Sequence, residues 1–314
     1  PASFLVARSS RRQPRPATLG RCRNSPTLDA PKPSGYAISA SRSTVLPRPR
    51  PTDMSDSRSE PSFEFYLGAH WPRWLSELHV PLFVSRRRLA PYKTLPVAIT
   101  NWALDSGGFT EVHRGGWGLS AAEYAVEVRR FASEIGGMDW AAPQDWMCEE
   151  SALKATGLSV LDHQERTTAN FLELRQELGT LVVPVLQGWE QDDYLRHVDA
   201  YQAAGVTLAD EERIGVGSIC RRNADPAIGE ILRCLQPLRL HAFGVKGTAL
   251  ARYHDWMVSA DSMAWSATAY WDKIRLPECT HTMKHCRECS RWALRWRDKT
   301  LRPMNQLRLP LDIG

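Results

Sequence analysis

The feature that most constrains this chain is a rhythm. Eight short apolar, β-prone runs follow one another: FEFYLGA (63–69), VPLFVS (80–85), NWALDSG (101–107), DWAAPQD (139–145), LVVPVLQG (181–188), RIGVGSI (213–219), LHAFGVKG (240–247) and WMVSADS (256–262). Amphipathic stretches of helical length separate the later ones. Residues 120–136 open with Ser120 three positions before Glu123, the spacing of a capping box. Residues 158–179 end at Gly179, a C-cap residue, and 190–205 and 225–238 complete the set. Strands alternating with helices predict an α/β protein with a parallel sheet, and eight of them predict a (β/α)8 TIM barrel. Only short segments, with no obvious long helix, join the first three runs. An open doubly wound sheet is the alternative.

The barrel is expected to occupy 54–300, between an N-terminal segment (1–53) and a C-terminal tail (301–314). Residues 1–53 are rich in Pro, Ser and Arg and lack hydrophobic periodicity, so they are read as a disordered basic tail. Met54 opens the stretch before the first strand, which suggests that the native protein starts there and that 1–53 is extra. The overall charge of +5 is set by that tail: it holds ten Lys/Arg against two Asp, leaving 30 basic against 33 acidic side chains beyond it. A nucleic-acid surface on the folded part must therefore be local, as in Arg86–Arg88 or Arg221–Arg222; solvated loop charge is the competing reading. No run approaches the length of a membrane span, and the seven cysteines are irregularly spaced. A reducing, cytoplasmic setting with no membrane contact is expected.

The strand ends carry polar or small groups: Asp105, Asp145, Gln187, Gly217-Ser218, Lys246 and Asp261. In a barrel these ends open onto one face, where catalytic groups gather. Asp105 in LDSGGF has two readings, a turn-capping carboxylate or a catalytic one on a turn open enough to admit a flat ring. Two carboxylates across a small pocket suit chemistry at an acetal-like carbon, one attacking and one moving protons. Gln187 and Asp145 can read the edge of a heterocycle, or serve as a turn residue and a helix cap. Near the C-terminus, Cys279, His281, Cys286 and Cys289 form C-x-H-x4-C-x2-C. Four soft or borderline donors within 279–289 are what a structural zinc ion requires. His285 is an alternative nitrogen ligand. Cys148, Cys220 and Cys234 read as small buried residues.

Together, DSGGF at a strand end, QD-x-x-C, LQG, GVGS, an Asp-bearing strand near the end and the Cys/His cluster resemble the tRNA-guanine transglycosylase superfamily. Within it, FYLGAHWPRWL, WALDSGGFTEV, WAAPQDWMCE, LQGW, GVGSICRR and SADSMAWS resemble the DpdA branch, which inserts 7-deazaguanines into DNA. The likeness spans about residues 63–296. It implies a base exchange through a covalent Asp-glycosyl enzyme, with Asp261 as nucleophile and Asp105 as proton-transfer partner. It further implies a substrate-binding set of Ser106, Gly107, Asp145, Gln187, Gly188, Gly217 and Lys246. The implied partners are DNA, a 7-deazaguanine base such as 7-cyano-7-deazaguanine, and accessory DNA-modification proteins; the implied cofactor is structural zinc.

The tRNA enzymes carry Asp-Cys followed by Pro-Thr-Arg at the nucleophile, where this chain has ADSMAWS. Their zinc ligands run CxCxxC with a distant His, whereas here the His lies inside the cluster. Both differences favour DNA. A target base must be extruded or single-stranded. Trp71, Trp74, Trp117, Trp146, Trp189 and Trp265 are candidates for stacking on bases or for core packing. Three other readings compete: exchange on RNA, a zinc-stabilised barrel that binds nucleic acid without chemistry, and a small-molecule barrel enzyme using GVKG for phosphate.

Overall fold

The computed structural model describes residues 63–307; the N-terminal tail and Met54 lie outside these. All described residues belong to one compact unit within Ser57–Gly314. In chain order the elements are β1 (Glu64–Ala69), β2 (Leu82–Ser85), α1 (Arg86–Leu89), β3 (Trp102–Asp105), α2 (Gly108–Val112), α3 (Ala121–Ile135), β4 (Met138–Ala141), α4 (Glu150–Thr156), α5 (Val160–Leu178), β5 (Val185–Leu186), α6 (Gln191–Ala203), β6 (Ile214–Val216), α7 (Ala227–Cys234), β7 (Leu240–Ala242), α8 (Gly247–Tyr253), β8 (Ser259–Ser262), α9 (Ala264–Trp271) and α10 (Ser290–Leu307). The strands form one parallel sheet in the order β4-β3-β2-β1-β8-β7-β6-β5. The sheet curls until its two edges meet, at a single parallel bridge between Ala141 and Val182. There Val183 N–H donates to the Ala141 carbonyl at 3.2 Å. The architecture is TIM-like α/β, with a thin seam between β4 and β5.

Side-chain alternation builds two apolar layers on this sheet. Phe65 and Leu67 on β1, Leu82 and Val84 on β2, and Trp102 and Leu104 on β3 pack outward, against Val128 and Phe131 of α3 and Phe171 of α5. The residues between them, Tyr66, Phe83 and Ala103, turn inward and join Trp140, Ala142 and Val183. Fully burying an aromatic or branched side chain of this kind contributes roughly 1.5–3 kcal/mol.

The expected capping box holds: Glu123 N–H donates to Ser120 Oγ (3.2 Å) and Ser120 N–H to Glu123 Oε2 (2.8 Å). A second starts α5, where Asp162 caps Ser159 in place of a Glu. The segments joining β1, β2 and β3 hold only a 3-10 turn (Pro72–Ser76) and four-residue α1. At the other end, α10 crosses residue 300 and runs to Leu307, with Pro303 inside it. Among the described residues no helix is long and apolar enough to cross a membrane.

Candidate active site

The C-terminal ends of the strands surround a cavity of about 560 Å³, a size that suits a small molecule. Asp105, Ser106, Asp145, Gln187, Gly217, Lys246 and Asp261 all line it. Asp105 closes β3 and Asp261 lies within β8, while Asp145 and Lys246 sit in loops beyond the ends of β4 and β7. Gly107 and Gly188 do not line the cavity. Gly107 is needed for its positive φ of 80°, which starts α2 and turns its N–H onto Asp105 Oδ1 at 3.1 Å. A side chain at Gly188 would meet Asp193 Cβ at 2.7 Å, so this glycine serves packing against α6.

Asp261 is 8% exposed and is held at one oxygen only. Its Oδ1 accepts from Gly244 N–H at 2.9 Å and lies 3.3 Å from His241 Nε2. His241 is wholly buried on β7, among Trp140, Phe243 and Phe83. Burial holds its pKa below the ordinary value even though Asp261 favours the charged ring. A neutral imidazole that donates Nε2–H to Asp261 accepts at Nδ1, and the Ser259 hydroxyl is there at 2.9 Å. Ser259, His241 and Gly244 thus orient the carboxylate, and Asp261 Oδ2 has no hydrogen bond within the described residues.

Burial raises the pKa of Asp105, and the nearby charge of Asp261 raises it further. Bonds from Gly107 N–H and the Ser85 hydroxyl oppose this. Asp145 is pushed up to about 6 by burial and by Asp105. It anchors a hydrogen-bonded chain. Ser106 Oγ donates to Asp145 Oδ1 (3.1 Å) and Gln187 Nε2 to Asp145 Oδ2 (2.6 Å). Ser218 Oγ donates to Gln187 Oε1 (2.7 Å) and accepts from Cys148 N–H (2.7 Å). Ser218 holds a φ of 57°, a conformation costing roughly 1–3 kcal/mol outside glycine. Gly217 lets Gln187 lie flat across the strand end, since a Cβ there would fall 2.2 Å from Gln187 Nε2.

Sequence reasoning missed His241, which reads as an ordinary strand residue, and Glu149. Glu149 lines the cavity and is 6% exposed; Oε1 accepts from the Cys220 thiol at 3.6 Å, and Oε2 is buried without a partner among the described residues. Cys148 is buried as expected, but Cys220 is half-buried and lines the cavity. Burial and Glu149 push the Cys220 thiol up to about 12, so it stays protonated. Trp74, Trp146 and Trp265 are buried and cannot stack on a ligand. Trp74 and Trp265 face inward from their helical turns and pack together, 5.4 Å between ring centres.

The second candidate site joins α9 to α10. The donor atoms of Cys279, His281, Cys286 and Cys289 all lie within 4.8 Å of one another; His285 is outside the group. The separations are 3.5 Å (Cys279–Cys289), 3.8 Å (Cys279–Cys286) and 3.4 Å (Cys286–His281 Nε2). A tetrahedral ion with bonds of about 2.3 Å to sulfur and 2.0 Å to nitrogen needs edges of roughly 3.5–3.8 Å, so the donors fit a metal. Arg275 Nη1 lies 2.9 Å from His281 Nδ1. A His281 that binds through Nε2 carries its proton on Nδ1, so metal loading requires Arg275 to release that contact. Arg275 keeps its bond to the Cys279 carbonyl, at 3.0 Å.

Among protein families, the model of DpdA, described as DeoxyPurine in DNA protein A, matches residues 62–313. No curated protein matches the chain.

Proposed function

The chain belongs to the DpdA family, and on that premise we propose that it exchanges guanine in DNA for a 7-deazaguanine base through a covalent glycosyl-enzyme. The observation that carries this reading is the pairing of two unlike carboxylates on one cavity. Asp261 is aligned by two N–H donors at Oδ1 and keeps Oδ2 free; Asp105 has a raised affinity for a proton. One suits a nucleophile and the other a proton carrier.

In the first half-reaction Asp261 Oδ2 attacks C1′ of the deoxyribose. A C–O bond forms as the C1′–N9 bond breaks, and protonated Asp105 gives its proton to the departing guanine. In the second, Asp105 takes the ring N–H proton of the incoming 7-deazaguanine. That nitrogen attacks C1′ and releases the Asp261 carboxylate. Protons balance over the cycle, and no ATP is consumed. Asp145, Gln187 and Gly217 read the base edge, Ser106 supports Asp145, and Lys246 meets the nucleotide at the mouth. Cys279, His281, Cys286 and Cys289 hold a zinc ion whose full ligand set makes it a structural staple. Elemental analysis should return about one zinc per chain, lost in Cys286→Ser; a metal-free, folded wild type would refute the staple.

The function is tested by nucleoside mass spectrometry of DNA and tRNA from cells that express the chain and have a 7-deazaguanine supply. Deaza-nucleosides in DNA that vanish with Asp261→Ala are expected. Modification confined to tRNA would overturn the DNA reading.

A further inference from the structure

The basic runs of the sequence, Arg86–Arg88 and Arg221–Arg222, look uniform, but the fold divides them. Arg86 pairs with Glu127, through Nη2 at 3.1 Å, and Arg87 pairs with Glu111. Arg222 pairs with Asp225 at 2.9 Å and donates to the Trp189 carbonyl at 2.6 Å. Arg88 and Arg221 have no carboxylate partner among the described residues, and these are the two that line the cavity. Each is instead held by a neutral group. Arg88 Nη2 donates to His70 Nδ1 at 3.3 Å, and His70 Nε2 meets Ser266 Oγ at 2.8 Å. Burial and Arg88 lower the His70 pKa to about 4, so the ring stays neutral and accepts. The guanidinium of Arg221 lies 4.5 Å over the Phe109 ring, a cation–π contact that fixes it without neutralising it.

Arg88 follows β2 and Arg221 follows β6, four places apart in an eight-strand order, the largest separation a curled sheet of this size allows. The two charges therefore approach the cavity from opposite sides. Apart from Lys246, assigned above to the mouth, the rest of the lining is carboxylates and neutral groups, so a ligand neutralising these arginines carries its anions outside the base pocket, on either side of it. A nucleic-acid strand that drops one base into a hole has this charge pattern. The planar fork of arginine matches phosphate oxygens in pairs.

We propose that Arg88 and Arg221 grip the phosphates flanking the target nucleotide, one on each side of the cavity, while Arg86, Arg87 and Arg222 are structural ion-pair partners. This rests on the base-exchange reading. The test is fluorescence anisotropy of a guanine-containing single-stranded DNA oligonucleotide with the full chain, between about 50 and 200 mM salt. Arg88→Gln and Arg221→Gln should each weaken binding severalfold at low salt and reduce the log–log salt slope by about 0.7–1. Both residues are exposed and outside any ion pair among the described residues, so thermal melting should be unchanged. Arg129→Gln, on the outer face of α3, should alter neither affinity nor slope. Wild-type binding with unchanged slopes in both cavity variants overturns the clamp and leaves the exchange reading standing. So does an equal loss in Arg129→Gln. A wild type that binds no DNA overturns both.

Discussion

At the N-terminal end of the sheet, Glu64 faces Arg213 at 3.3 Å. Asn101 Nδ2 donates to Glu64 (2.5 Å) and Asp139 (2.6 Å), and Tyr66 OH donates to Asp139 (2.8 Å). Arg213 also donates to Tyr66 OH at 2.7 Å. At the C-terminal end, Asp105, Asp145 and Asp261 receive bonds, among the described residues, only from amides, hydroxyls and a neutral imidazole. The side-chain types are similar, but the handling of charge is opposite. One end compensates its carboxylates with a cation and gains a fastened base. The other leaves them uncompensated, which costs stability and, on the proposed mechanism, preserves their reactivity.

The largest effect expected from breaking this contrast is at Asp261. Asp261→Asn keeps the shape and removes the attacking charge. Exchange should fall on the order of a thousandfold or more, with the melting temperature nearly unchanged; transfer of labelled 7-deazaguanine measures the first and calorimetry the second. A variant retaining most of its activity would assign the chemistry elsewhere.

Asp145 comes next. Its pKa of about 6 in the folded chain exceeds the ordinary 3.8, so its stabilising influence is complete below about pH 4 and is lost as pH rises through about 6. The difference amounts to about 3 kcal/mol. Base-free wild type should lose up to that amount relative to Asp145→Asn between about pH 4 and 7. Parallel pH–stability curves would show that Asp145 pays no penalty for its place.

The smallest effect belongs to the fastened end. Arg213→Met strands Glu64 and should cost roughly 1–3 kcal/mol in denaturant unfolding, with exchange within about threefold of wild type. A large activity loss there would mean that the two ends are coupled.

Much of this arrangement was legible in the sequence, because periodicity records which side chains face a core. The strand–helix alternation and the Ser120 cap follow from local pattern, as does the convergence of Asp105, Asp145, Gln187, Gly217 and Asp261 on one cavity. The roles of Gly107 and Gly188 did not follow, since a glycine that spares a neighbour looks like one that admits a ligand. His241 was hidden because an inward strand position near a pocket has the same period as one in the core. The division of Arg86–Arg88 was equally invisible: Glu111 and Glu127 arrive from α2 and α3. The length of α10 was obscured by its many arginines and by Pro303.

The seam in the sheet bears on all of this. Asp145 follows β4 and Gln187 follows β5, and these two edges meet at one bridge, from Ala141 of β4 to Val182 just before β5. The 2.6 Å bond between their side chains therefore acts as a clasp across the least stitched line of the scaffold. On the base-exchange proposal, a base that bonds Asp145 and Gln187 would open this clasp and close it again through itself. Occupancy of the pocket and closure of the seam would then be one mechanical variable.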